Sequence, residues 1–136
     1  MKVVVDTNVF LSGVFFSGPP AQVLRAWKNG TIELVVSPDI LTEYRTAGEA
    51  LEQARPGVAL APWVDLVAML ATVVAAPVLP RQVCDDPDDD KFIACAIASR
   101  DALICTGDKA LLRVSGHGGV EIVTPRELMR RLFAAR

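Results

Sequence analysis

The stretch MKVVVDTN (residues 1–8) decides the predicted fold. Residues 2–5 form an apolar, β-branched run that stops abruptly at the polar triplet Asp6-Thr7-Asn8. A short run of this kind is typical of a strand that is buried on both faces, as the strands of a parallel sheet are. Because ligands of open parallel sheets bind beyond the carboxyl ends of the strands, Asp6 stands where a functional site is expected.

Strand and helix patterns alternate along the rest of the sequence. Further strands are predicted at residues 31–36, 78–79, 102–106 and 120–123. Helices are predicted between Pro19-Pro20 and Asn29-Gly30, at 38–54, at 62–75, from Asp86-Pro87 to residue 100, through 111–112, and from Thr124-Pro125 to residue 133. This alternation predicts right-handed βαβ crossovers, and therefore an α/β fold in which helices cover both faces of a parallel sheet. We expect a single domain over residues 1–136.

The composition of the chain indicates where in the cell the protein is expected. The chain is 51% hydrophobic with a mean hydropathy of +0.35, but no apolar stretch reaches the roughly 18 residues of a membrane span. Asp6 comes too early for a signal peptide. The three cysteines (Cys84, Cys95 and Cys105) and the single histidine, His117, form no disulfide or zinc pattern. We therefore expect no membrane association and a reducing, cytoplasmic location.

The net charge of −2 argues modestly against a protein that binds duplex DNA through bulk electrostatics. It leaves nucleic acid open as a substrate, because a bound metal inverts the field of clustered acidic residues. The C-terminal group Arg126, Arg130, Arg131 and Arg136 is either a solvated helix face or an edge that contacts phosphates. Weaker candidates for contacting a substrate are Arg45, Lys91 and Lys109.

The run Asp85-Asp86-Pro87-Asp88-Asp89-Asp90 holds more negative charge than helix capping requires. Asp86 is the expected N-cap, and Asp88 and Asp89 suit the positive end of the helix that follows. The remaining repulsion favours a nearby cation. Asp90, one turn into that helix, is the predicted metal ligand, and Asp86 or Asp89 could share the site.

Three further carboxylates are predicted to join Asp90. Asp6 follows the first strand and Asp108 follows the strand at 102–106, so both belong to one edge of the sheet. Glu43 shares a helical stripe with three neutral residues that should face the core (Ile40, Tyr44 and Ala47). Each acid also has a simpler interpretation: Asp6 as a turn former, Glu43 as a solvent-facing residue, Asp90 as a first-turn charge, and Asp108 as an N-cap.

Converging carboxylates favour a hard divalent cation, Mg²⁺ or Mn²⁺, which prefers oxygen ligands. Carboxylate-held metals activate water and stabilise the leaving oxygen in phosphodiester hydrolysis. Thr7, Asn8 and Thr106 are the expected supporting groups, which would hydrogen-bond to ligands, water or phosphate.

Four short motifs, in this order, resemble the PIN-domain family: Asp6-Thr7-Asn8-Val9, Glu43, Asp90-x-x-Ile93-Ala94 and Thr106-Gly107-Asp108. The resemblance covers nearly the whole chain and is strongest to the small VapC-like ribonucleases of prokaryotic toxin–antitoxin pairs. It implies a three-layer α/β/α sandwich with a parallel sheet of about five strands, and an Mg²⁺ or Mn²⁺ quartet of Asp6, Glu43, Asp90 and Asp108. It also implies an RNA substrate, a small antitoxin partner and a homodimer.

Two rival functions start from the same residues. A haloacid-dehalogenase-type phosphotransferase needs a second acid two residues after Asp6, and that position is Asn8. A catalytically silent PIN-like module would bind RNA or act as a scaffold without cleaving. Dinucleotide binding is disfavoured because no Gly-x-Gly-x-x-Gly follows the first strand.

Overall fold

The structure is a computed structural model that describes residues 1–134. Ala135 and Arg136 lie outside the described residues, and so does the role predicted for Arg136 in the C-terminal basic group.

Five parallel strands form the sheet. They are β1 (Lys2–Val5), β2 (Glu33–Val36), β3 (Thr72–Val73), β4 (Ala102–Cys105) and β5 (Ile122–Val123), in the spatial order β3-β2-β1-β4-β5. The central strand β1 carries Val3, Val4 and Val5, which are fully buried. Burial on both faces confirms the environment predicted from the apolar run.

Helices flank this sheet and give the predicted three-layer α/β/α fold. They are α1 (Thr7–Phe15), α2 (Pro19–Lys28), α3 (Pro38–Ala54), α4 (Ala61–Leu70), α5 (Asp90–Ser99), α6 (Lys109–Leu112) and α7 (Pro125–Ala134). Single 3₁₀ turns occur at Pro87–Asp89 and His117–Gly119.

Capping side chains fix where the helices nearest the carboxyl edge of the sheet begin. The Asp6 carboxylate accepts the Val9 N–H at 2.9 Å, and the Asp108 carboxylate accepts the Ala110 N–H at 2.9 Å. Each cap therefore starts a helix directly after a strand. The helix α1 was not predicted from the sequence, although Asp6 both ends β1 and caps that helix.

The predicted strand at residues 78–79 is wrong. The third strand is β3, whose residues Thr72 and Val73 pair with β2, and α4 ends at Leu70 rather than at residue 75. Val78 lies between two prolines in sequence, at residues 77 and 80, and is 92% exposed. Proline has no N–H to donate to a strand ladder, so this stretch cannot pair as the earlier one does.

The helix predicted to open at Asp86-Pro87 starts differently. Asp86 is an N-cap, as predicted, and its carboxylate accepts the Asp88 N–H at 2.9 Å. However, the first turn, Pro87–Asp89, is 3₁₀, and the α-helix begins only at Asp90.

Among the described residues, no helix is long and apolar enough to cross a membrane. Cys84, Cys95 and Cys105 are free and buried.

Candidate metal centre

An open cleft of about 310 Å³ lies where β1 and β4 end. Four acids reach it from four segments: Asp6 after β1, Glu43 from α3, Asp89 from the 3₁₀ turn, and Asp108 after β4. The other residues that line it are Thr7, Asn8, Ala47 and Phe92. The cleft is therefore strongly acidic and contains only oxygen donors suited to a metal.

Asp6 is the most deeply placed of these acids, with 5% of its surface exposed. One carboxylate oxygen caps α1, and the other accepts the hydroxyl of the fully buried Thr106. Burial raises the pKa of Asp6, the Thr106 and Val9 hydrogen bonds oppose this, and the charges of Asp108 and Glu43 raise it further. Asp6 is thus held in a fixed orientation within a field of like charge.

Thr106 connects the ends of the two central strands. Its hydroxyl donates to Asp6 and accepts the backbone N–H of Asp108 at 3.0 Å. One buried side chain therefore orients one acid of the cleft and the backbone of another, as the predicted supporting role for Thr106 requires.

Glu43 is half-buried at the edge of the predicted stripe on α3. Ile40 and Tyr44 from that stripe are fully buried. The Tyr44 hydroxyl donates to the Val5 carbonyl, and its ring stacks on Phe10 with centroids 4.1 Å apart. This contact anchors α3 beside the end of β1, and so brings Glu43 to the cleft that contains Asp6.

Both carboxylate oxygens of Glu43 have partners from the chain. The Thr7 hydroxyl donates to one oxygen, and the Lys91 ammonium lies 2.5 Å from the other. Thr7 therefore has a supporting contact within the cleft. Lys91, predicted only as a weak substrate contact, forms an ion pair with one of the four acids.

Asp89 is the acid without a partner: its carboxylate makes no hydrogen bond or ion pair with any residue in the described range 1–134. Burial raises its pKa to about 6, and the charges of Asp86, Asp108, Asp6 and Glu43 contribute to the same shift. A half-buried carboxylate that faces like charges and has no counterion is a position where a cation would relieve repulsion.

The structure brings Asp89, and not Asp90, to the other three acids. The Asp90 carboxylate accepts the backbone N–H of Cys84 at 2.8 Å and that of Val83 at 3.1 Å. Burial opposes its ionisation, but these hydrogen bonds prevail and lower the pKa of Asp90. Asp90 lines a different cavity, together with Ser37 and Asp39. Asp90 therefore does not lie with the other three acids, although this was predicted. Its carboxylate instead holds the loop before the 3₁₀ turn.

The remaining predicted residues divide between the cleft and the surface. Asn8 is exposed and lines the cleft, whereas Asp86 is an exposed cap. Arg45 and Lys109 are exposed and do not line it.

Two apolar residues, Ala47 and Phe92, form part of the cleft wall. Ala47 was predicted to share the helical stripe of Glu43, but neither residue was predicted to line the site. A signal for them existed, because Ala47 follows Glu43 by four residues and Phe92 follows Asp89 by three. These are the spacings that place side chains on one side of a helix.

The donor set fits a hard divalent cation, although the side chains are not yet gathered around one. Within residues 1–134, no three Asp, Glu, His or Cys side chains stand close enough to hold a metal ion. The contacts explain this, because Asp6, Glu43 and Asp108 are each turned toward a partner of their own. Burial and the like charge of neighbouring acids raise the pKa values of Asp6 and Asp89, so a cation in this cleft would stabilise their ionised forms.

Comparison with known proteins bears on the family and the fold. Residues 2–110 match the sequence profile of the family described as PIN domain. An uncharacterized protein of Methanocaldococcus jannaschii, MJ1680, is 33% identical over 140 aligned positions, which cover 95% of this chain and 90% of that protein. The crystal structure of PAE2754 from Pyrobaculum aerophilum superposes with a TM-score of 0.57 at 17% identity, over 98% of this chain and 90% of that one. At that identity the superposition supports the fold alone.

Proposed function

Because the chain belongs to the PIN-domain family, whose members are generally nucleases, we propose that it is an endoribonuclease that depends on Mg²⁺ or Mn²⁺. The observation that carries this proposal is Asp89, a partnerless carboxylate whose pKa is raised to about 6 in a cleft shared with three other acids. Burial is the largest cause of this raised pKa and the neighbouring carboxylates add to it, and a bound cation would offset both effects.

Asp6, Glu43, Asp89 and Asp108 are the residues that would hold the metal. A bound Mg²⁺ or Mn²⁺ would supply Lewis-acid activation of water and charge stabilisation for phosphodiester hydrolysis. The other groups serve the acids: Thr106 orients Asp6, and Thr7 orients Glu43. Asn8 offers an exposed amide at the rim, where it is available to a phosphate or to water.

The biological role extends this proposal. The resemblance to VapC-like ribonucleases supports a toxin of a type II toxin–antitoxin pair, which acts on RNA in the cytoplasm as a homodimer and is inhibited by a small antitoxin. Free, buried thiols are compatible with a reducing compartment. Growth arrest on expression of the wild type, but not of Asp89→Asn, is the result expected of a toxin.

A second candidate is a PIN-like module that binds RNA or a protein partner without cleaving. One observation favours it: no three potential ligands in the described range already stand around a metal position. This alternative predicts RNA or partner binding with no cleavage at any metal concentration.

Cleavage of a single-stranded RNA oligonucleotide with Mn²⁺ tests the proposal. We expect activity to disappear in EDTA and to fall by more than about a hundredfold in Asp6→Asn and Asp89→Asn, because loss of a ligand costs more than loss of a group that merely orients one. Asp88→Asn is the matched control, since it removes the same charge from the exposed neighbour of Asp89. Cleavage that survives EDTA, or that is equally lost in Asp88→Asn, would overturn the metal-carboxylate mechanism.

A further inference from the structure

Only some of the basic residues of this chain are paired with carboxylates. Arg130 makes two hydrogen bonds to Glu127, at 2.6 and 2.7 Å, and Arg131 makes two to Glu121, at 2.8 and 2.6 Å. Paired arginines of this kind are poor candidates for an edge that contacts phosphates, because binding a phosphate would cost them a carboxylate partner.

Within residues 1–134, nine basic residues form no ion pair with a carboxylate: Lys2, Arg25, Lys28, Arg45, Arg55, Arg81, Arg100, Lys109 and Arg126. Two of them lie over aromatic rings instead. The Lys28 ammonium is 4.8 Å from the centre of the Trp63 ring, and the Arg55 guanidinium is 4.4 Å from the centre of the Phe16 ring. A cation over an aromatic face retains its charge and remains available to an anion.

Arg25, Lys28 and Trp63 line one cavity of about 390 Å³, which we call the Lys28–Trp63 pocket. Its other lining residues are Gly13, Ala21 and Asn29, so no acidic side chain is among them. Trp63 is only half-buried, and Arg25 and Lys28 are exposed. The pocket therefore combines an accessible aromatic face with uncompensated positive charge.

A second cavity, of about 400 Å³, shares two lining residues with the acidic cleft and is lined by sequence neighbours of two residues of the Lys28–Trp63 pocket. Its lining includes Asn8 and Asp108, which also line the cleft, and Ser12 and Pro20, whose sequence neighbours Gly13 and Ala21 line the Lys28–Trp63 pocket. From Asn8 to Gly13 the distance along α1 is about 8 Å, at about 1.5 Å per residue. A few nucleotides span such a distance.

We propose that the Lys28–Trp63 pocket is a subsite for single-stranded RNA, in which an unpaired base stacks on Trp63 while Arg25 and Lys28 contact backbone phosphates. This inference rests on the proposed function, to which it adds the path of the substrate and its single-stranded form. Proteins that bind single strands combine aromatic stacking platforms with positive charge along the backbone. A base that reaches Trp63 displaces the Lys28 ammonium from the ring toward a phosphate. A duplex has no free base to stack in this way.

Tryptophan fluorescence provides a direct test, because the chain has two tryptophans and Trp27 is buried with 7% of its surface exposed. Titration of the full chain in EDTA with a single-stranded RNA oligonucleotide should quench the fluorescence, and Trp63→Phe should abolish this change while it leaves the Trp27 emission. Quenching that persists in Trp63→Phe, or no quenching of the wild type, overturns the subsite.

Charge reversal tests the electrostatic part of the same subsite. Lys28→Glu should weaken RNA binding by about tenfold at low salt and make it less salt-dependent, because single-strand affinity follows the number of neutralised phosphates. Arg130→Glu is the matched control and should have little effect. An equal loss of RNA affinity in the two variants would show that only the net charge of the protein matters. If an acidic peptide quenched the tryptophan fluorescence as strongly as RNA does, the pocket would bind a protein ligand instead. Either result overturns the proposal.

The subsite and the nuclease function can fail separately. Quenching at Trp63 without any Mn²⁺-dependent cleavage retains the RNA subsite and rejects the nuclease. Cleavage that Lys28→Glu and Trp63→Ala leave unchanged retains the nuclease and rejects this path for its substrate.

Discussion

Lys91 and Glu43 form an ion pair across two helices, with the Lys91 ammonium 2.5 Å from a Glu43 carboxylate oxygen. Both side chains are mostly shielded, with 23% and 28% of their surfaces exposed. A cation that belongs to the chain therefore offsets part of the negative charge of the acidic cleft. A divalent ion that takes Glu43 as a ligand must share that carboxylate with Lys91 or displace it.

Replacing Lys91 by methionine should tighten Mn²⁺ binding by about tenfold, because a competing positive charge a few ångströms from the metal position is removed. The same change should lower the stability of the metal-free protein by about 1 kcal/mol, since Glu43 loses its counterion. Titration calorimetry with Mn²⁺ and thermal unfolding in EDTA measure the two effects. Lys91→Arg retains the charge and is the control. Weaker Mn²⁺ binding by Lys91→Met would mean that Lys91 supports the metal-bound form.

Asp89→Asn and Asp90→Asn should have opposite consequences, although they are the same substitution at adjacent positions. Asp89→Asn should weaken Mn²⁺ binding by more than about tenfold without unfolding the protein. Asp90→Asn should leave Mn²⁺ binding nearly unchanged but destabilise the fold by about 2 kcal/mol, because the Val83 and Cys84 N–H groups lose a charged acceptor. Calorimetry and urea unfolding separate the two outcomes, and a larger loss of Mn²⁺ affinity in Asp90→Asn would contradict our assignment.

The sequence indicated an acidic site at this edge of the sheet but placed one of its acids a residue away. Asp6 and Asp108 could be predicted because a strand that ends at an acid determines where its side chain lies. Asp90 was chosen because it lies one turn into the predicted helix and begins the family motif Asp90-x-x-Ile93-Ala94. That choice assumed an α-helix from Asp86 onward, whereas the first turn is 3₁₀, which has about three residues per turn. Helix type depends on contacts such as those of Asp90 with Val83 and Cys84, which no local pattern contains.

Strands could be predicted from the sequence where their own side chains are apolar. They could not be predicted where they depend on pairing with a neighbouring strand. The runs of β1, β2 and β4 are apolar enough to identify buried strands. By contrast, β3 has only two residues, both exposed, and exists because Thr72 and Val73 pair with β2. The helix α1 was missed because its apolar residues recur too densely to show one face: six of its nine residues are buried.

In the metal-free protein, Asp89 should make the free energy of unfolding fall as pH rises, which is the opposite of the usual effect of a carboxylate. Its pKa is about 6 in the folded chain against an ordinary value of 3.8, so the folded state binds more protons than the unfolded state between these values. The contribution of Asp89 to stability therefore declines as pH rises from about 4 to about 6. In EDTA, Asp89→Asn should become increasingly more stable than the wild type across this range, as thermal unfolding can show.

For Asp90→Asn, we expect the opposite pH dependence of stability in the same thermal unfolding measurement. The folded-state pKa of Asp90 is lowered, so its stabilising contribution is present at neutral pH and is lost as pH falls through that lowered value. Asp90→Asn should thus be less stable than the wild type at pH 7 and approach it in acid. A parallel pH dependence for the two variants would contradict the contrasting environments of these carboxylates.

Arg100→Gly should stabilise the protein by about 1 kcal/mol. Arg100 closes α5 with φ 61° and ψ 141°, a backbone conformation that only glycine adopts without strain, and its N–H still donates to the Ala96 and Ile97 carbonyls. Asp101→Gly should gain less, because φ 56° is better tolerated by aspartate. Urea unfolding of both variants measures this order. Both residues precede β4 and lie at the end of that strand opposite the cleft. RNA cleavage should therefore be unchanged in both variants. A variant that gains stability but loses cleavage would show that the strained turn contributes to the site.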